Sequence, residues 1–194
     1  MRIMGPHRRA RGFTLIEAMI VVVVVGILAT LAIVAYQHWV KTSYVAEAQD
    51  VVTNIRTAEE GFFGENGTYL DVSGAVGAGH SYPLIHPGAS KTAWGGACGG
   101  CTSPGTGNWN GLNVNPGAPV IFGYSVIADQ AKAPTARLGT ITVNGQPLDM
   151  TAMSNGAPWY FIEADANISG DNVNFTHVYG MSGTNRLFID GEGK

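Results

Sequence analysis

The sequence predicts an α+β fold in which a long amino-terminal helix, apolar in its first half and amphipathic in its second, lies on a roughly four-stranded antiparallel sheet. Three observations predict it. An apolar run without a breaker begins at Phe13, a stripe of apolar residues at helical spacing follows as far as Phe62, and strand-like segments gather in the last third. A length of 194 residues fits one globular domain plus an appendage. Only 13% of residues are charged and 27 are glycine, which points to buried hydrophobic length and long loops. The first twelve residues hold Arg2, Arg8, Arg9 and Arg11 and no acid. Residues 13–194 therefore keep seven Lys/Arg against fourteen Asp/Glu, a formal charge of −7. Such a body offers no broad basic surface for phosphates, so nucleic acid is not an expected partner.

The helix opens within "RGFTLIEAMIVVVVVGILATLAIVAY". From Ala18 to Tyr36 the only ionisable group is Tyr36, and helical rise makes the segment about 28 Å long, enough to cross a bilayer. It reads as a secretory signal, with Ala29, Ala32 and Ala35 mimicking a cleavage site, as a membrane anchor, or as a buried core helix. The basic leader favours insertion with the start inside and residues beyond about 40 outside. Glu17 is the anomaly. A charge at mid-bilayer costs roughly 2.5–3.5 kcal/mol on insertion scales, and no basic residue lies between Phe13 and Tyr36.

"RGFTLIEAMIVVVVVGILATLAI" resembles the amino-terminal signature of type IV pilins and of the pseudopilins of type II secretion, over about residues 8–36. The resemblance implies removal of leader residues 1–12 by a prepilin peptidase that cuts between Gly12 and Phe13. It further implies N-methylation of Phe13, and an assembly salt bridge between Glu17 and the new Phe13 amine. That pairing accounts for Glu17, since each charge alone is expensive in low dielectric and the pair much less so. The alternative is that Glu17 complements the positive end of its own helix. The implied partners are membrane lipid before assembly, the inner-membrane assembly machinery, and further copies of the chain in a helical filament. The implied location is the inner membrane for the precursor and the extracellular pilus after assembly. Where many pilins carry "AIP", this chain has "AIV" with Val34, so an unwound stretch would rest on Gly26 alone.

Residues 13–36 form the hydrophobic half-helix and 37–64 the amphipathic half. In the second half Tyr44, Ala48, Val51, Ile55, Ala58 and Phe62 recur at steps of three and four, with Glu47, Asp50, Arg56 and Glu60 opposite. Thr14 to about Phe63 makes one helix near 75 Å long, ended by "GENGTY". Residues 65–194 form the head, divided into a Gly-rich variable loop over 65–119 and the sheet over 120–194.

Inside the loop sits "ACGGCT" with Cys98 and Cys101, the only cysteines. A local disulfide is the favoured reading for an oxidising exterior, against a redox pair, half a metal site or free thiols. Closing so short a loop stabilises by roughly 2 kcal/mol. Trp94 and Trp109 read as the loop's own small core or as exposed anchors. Strands are expected over 120–128, 158–166, 173–181 and 185–191, with an Asn144-Gly145 hairpin whose second arm Pro147 confines to an edge. In "DANISGDN", Asp165, Asn167, Ser169 and Asp171 resemble the first half of a calcium loop. Thr176 stands where the bidentate glutamate belongs, and a plain turn is the other reading. No other cofactor is expected.

The five histidines (7, 38, 80, 86 and 177) adjoin no nucleophile pattern, phosphate-cradling loop or paired acids, so the chain does not read as an enzyme. The sequence is read as a structural pilus subunit, major or minor. The alternatives are a type II secretion pseudopilin and a membrane-anchored periplasmic binding protein that never polymerises.

Overall fold

The computed structural model describes residues 12–77, 79–83, 88, 90–95, 105–130, 133–153, 156–171 and 173–191. Helix α1 spans Leu15–Asn66 without interruption. It runs through the β-branched run Val21–Val25 and through Gly26, so neither weak propensity nor the glycine breaks it. The end falls later than Gly64. An α-helical glycine costs only about 1 kcal/mol, whereas the reversal that stops the chain needs a left-handed residue, and Gly67 supplies it at φ 71°. The Gly67 N–H donates to Phe63 O at 2.8 Å, and the Asn66 side chain to Phe62 O at 3.0 Å.

The chain divides into two compact units between Val40 and Lys41, inside α1. In the first, every described residue from Gly12 to Trp39 is exposed. In the second, α1 buries Val45, Ala48, Val51, Val52, Ile55 and Glu59. The expected stripe holds at Ala48, Val51 and Ile55, while Tyr44, Ala58 and Phe62 are half-buried at its margin. The stripe is broader than the periodicity suggests, since Val45 and Val52 are buried too, and it ends on one buried acid, Glu59.

The sheet contains four strands, β1 Gly123–Asp129, β4 Trp159–Ala166, β5 Thr176–Met181 and β6 Phe188–Asp190, in the order β1-β4-β5-β6. All neighbours are antiparallel, with Val126 opposite Ile162 and Ile162 opposite Gly180. Alternation sends Tyr160, Ile162, Ala164 and Ala166 into the core that holds the α1 stripe. Trp159 and Phe161 enter a second core with Ile127, Met150, Met153, Tyr179 and Met181. That second layer explains why even β4 is buried along its whole length. Its cover includes the ribbon of β2 Thr142–Val143 and β3 Gln146–Pro147. Asn144 (φ 51°) and Gly145 (φ 77°) make the turn the dipeptide predicts.

Two short helices were not read from the sequence. α2, Gly105–Leu112, is glycine-rich and is held by burying Trp109 and Leu112 in the core rather than by propensity. α3, Pro134–Leu138, does carry a signal, proline at its start and Gly139 in the left-handed region just past its end.

Candidate functional site

Gly12, Phe13 and Glu17, singled out by the sequence, lie at the start of α1. Thr14 and Glu17 form a reciprocal cap there. Glu17 Oε2 accepts the Thr14 backbone N–H at 2.9 Å and its hydroxyl at 2.7 Å. The Glu17 N–H in turn donates to Thr14 Oγ1 at 3.3 Å. This is the capping box of a Ser/Thr-x-x-Glu pattern, which satisfies otherwise orphaned N–H groups at a helix start. Thr14 is the functional residue the sequence reading passed over, and the pattern preceding an apolar run was the signal for it. With the leader attached, the Phe13 nitrogen is an uncharged peptide nitrogen, and Glu17 is occupied by its own helix start. Gly12 and Phe13 lie just outside the helix, and Phe13 is 86% exposed.

Beyond the cap, α1 contains an eighteen-residue window of mean hydropathy 3.0 with none of it buried. Among the described residues this is one helix long and apolar enough to cross a membrane. Leu15, Ile20, Val22, Leu28, Leu31 and Val34 are all exposed. So much unpaired apolar surface needs lipid or protein against it.

Cys98 and Cys101 lie outside the described residues. Trp109 is buried and Trp94 half-buried. Their rings meet edge-on at 5.1 Å, and both contact Tyr82, so the two tryptophans belong to the core. Of the four residues of the calcium-like pattern, three share one turn. Asn167 Oδ1 accepts Gly170 N–H at 2.7 Å and Ser169 Oγ at 3.3 Å. Asp171 Oδ1 accepts the N–H groups of Val173 and Asn174, each at 2.9 Å, and these bonds hold its carboxyl well below the usual range. Asp165 is separate in its bonding, buried and accepting the Ser81 hydroxyl at 2.6 Å.

Asp165 belongs to a polar patch on the second sheet face. Burial pushes its pKa up to about 7 despite the Ser81 bond. His177 lies directly opposite it in register and places Nδ1 3.1 Å from Glu163 Oε1. Burial opposes the imidazolium, but the Glu163 bond and the neighbouring carboxylates outweigh it and raise the His177 pKa. His177 is thus a sheet residue with an acid partner. Among the described residues no group of three or more His, Cys, Asp or Glu is placed to hold a metal ion.

Comparison with known proteins gives a family match at this same end of the chain. The family model of the prokaryotic N-terminal methylation motif matches residues 7–33. The chain is 40% identical over 77 residues to the type IV major pilin protein PilA of Myxococcus xanthus, covering 40% of this chain and 35% of that protein. It is 36% identical over 90 residues to a type IV major fimbrial protein FimA of Dichelobacter nodosus, covering 40% and 56%. A fimbrial protein of Pseudomonas aeruginosa is 48% identical over 50 residues, covering 26% and 32%. The matches thus span about a third to just over half of these relatives' lengths. No solved structure gives a significant match.

Proposed function

We propose that this chain, whose amino-terminal segment is similar to that of type IV pilins, is a structural subunit of a type IV pilus. The precursor sits in the inner membrane through residues 13–36, with its head outside. Cleavage between Gly12 and Phe13 creates an amine one helical turn from Glu17, and Phe13 is N-methylated. The Glu17 carboxylate then pairs with that amine, in its own or a neighbouring subunit, and fixes the axial register. Once withdrawn from lipid, the apolar half-helix is buried against the same segment of other copies. A head-to-tail contact that does not close into a ring generates a helical fibre.

The observation that carries this reading is the coincidence, within one helix start, of the motif junction, a capped acid and a wholly exposed apolar surface. The test is amino-terminal mass analysis of the protein from cells, together with electron microscopy of sheared surface material. The expected result is a chain beginning at methylated Phe13 within filaments. A chain still beginning at Met1, with no filaments, leaves only a tethered domain. A chain cleaved at Gly12 but confined to the periplasm makes it a secretion pseudopilin.

A further inference from the structure

We propose that Tyr36 and Trp39 form a lipid-interface anchor, seated in the outer headgroup layer of the bilayer, which holds Glu17 at the inner edge of the hydrocarbon. The proposal rests on the membrane-inserted precursor described above and adds the groups that fix its depth.

The two rings lie on one side of α1, with centroids 6.3 Å apart. Each residue is 66% exposed, so the phenol hydroxyl and the indole N–H are open to an outside partner. Tyrosine and tryptophan each join an apolar body to a polar tip, and both concentrate where hydrocarbon gives way to water. The chain changes character at this point. Ala18–Ala35 contains no ionisable residue, whereas Gln37, His38 and Lys41 follow directly on Tyr36 or soon after it. Every residue from Gly12 to Trp39 is exposed, so the aromatic pair continues the apolar surface that lipid covers.

Length decides where the pair sits. From Glu17 to Tyr36 the helix rises about 28 Å, against a hydrocarbon core of about 30 Å. So close a match leaves little slack for tilt. Helical side chains lean toward the amino terminus, which lays the Trp39 ring back toward the level of Tyr36. The same lean, fixed by the bonds from the Thr14 N–H and hydroxyl, carries the Glu17 carboxylate outward at the other end. The single hydroxyl between them, on Thr30, donates to Ile27 O at 2.7 Å and so needs no partner in the lipid. The acid therefore meets headgroups and water instead of mid-bilayer, and the Gly12–Phe13 junction lies further out still. Without the two rings the apolar run is free to shift along the membrane normal and to displace both.

The first test is depth-dependent quenching. The full precursor is reconstituted in vesicles of phosphatidylethanolamine and phosphatidylglycerol brominated at either shallow or deep acyl positions. Trp39 emission is the difference between wild type and Trp39→Phe. Shallow bromines are expected to quench it at least about twofold more than deep ones, at every protein-to-lipid ratio. Stronger quenching by deep bromines, or none by either, overturns the anchor while leaving the pilin reading intact. Quenching that vanishes as the protein-to-lipid ratio rises means a second copy covers the ring, and overturns it equally.

The second test is processing in cells. Tyr36→Ala with Trp39→Ala is expected to stay in the membrane fraction and to raise the uncleaved fraction several-fold, because the junction is displaced. The exchange of Tyr36→Trp with Trp39→Tyr keeps both polar tips and should be processed like wild type. A double-alanine variant cleaved at the wild-type rate, or an exchange variant as slow as the double alanine, overturns the anchor. A wild-type chain left uncleaved overturns the pilin reading, and the vesicle result then decides the anchor by itself.

Discussion

Glu59, the last buried residue of the α1 stripe, accepts the backbone N–H of Leu70 at 2.9 Å through Oε2, while its Oε1 has no hydrogen-bond partner among the described residues. The bond ties the end of the helix to the first segment of the loop that leaves it. Burial pushes the Glu59 pKa from 4.5 up to about 8, more than the Leu70 bond lowers it, with Glu60 and Asp71 adding to the rise.

A folded-state pKa raised above the unfolded value means the native state binds its proton more tightly. The contribution of Glu59 is fully present below about pH 4.5 and is lost as pH rises to about 8. Asp165 adds a loss of the same sign between its ordinary 3.8 and about 7. Urea unfolding of the detergent-solubilised protein is expected to show stability falling by a few kcal/mol from pH 4.5 to 8. Glu59→Gln should keep the Leu70 bond and flatten the part of that slope between pH 7 and 8. An unchanged slope in this range would exclude Glu59 as its source.

Gly180 on β5 packs directly against α1. A Cβ there would lie 2.8 Å from Val52 Cγ1 and 3.4 Å from Arg56 Cδ. Gly180→Ala is expected to destabilise the head by about 1–3 kcal/mol through overpacking. Pairing it with Val52→Ala, which clears the nearer atom, should recover part of the loss in a double-mutant comparison of unfolding midpoints.

Arg56 replaces bonds that would otherwise leave the Thr184 and Asn185 carbonyls to solvent. Arg56→Ala removes three charge-assisted bonds from the Thr184–Asn185 turn and should cost about 1–3 kcal/mol. Hydrogen exchange should quicken at residues 184–188 before it does in β4.

At the other end, Glu17→Val is expected to leave membrane insertion intact and to reduce filaments to background, since the acid is needed only once the Phe13 amine exists. Thr14→Ala is expected to be milder. It removes one side of the capping box, worth about 1 kcal/mol, while the carboxylate for the amine remains. Normal-length filaments from Glu17→Val would refute the amine pairing.

The sequence by itself determined the long helix, the four strands, the Asn144-Gly145 turn and the amino-terminal motif. Each is a local signal: unbroken apolarity, alternation, a dipeptide suited to positive φ, a short spacing of Gly12, Phe13 and Glu17. Tertiary structure decided what local patterns cannot carry. Glu59 looks like one more polar helix residue until the sheet and the loop at Leu70 close over it. His177 and Glu163 are fourteen residues apart and meet only through strand register. Trp94 and Trp109 take their place from rings on other segments. α2 holds together by burying Trp109 against a core built from distant parts of the chain.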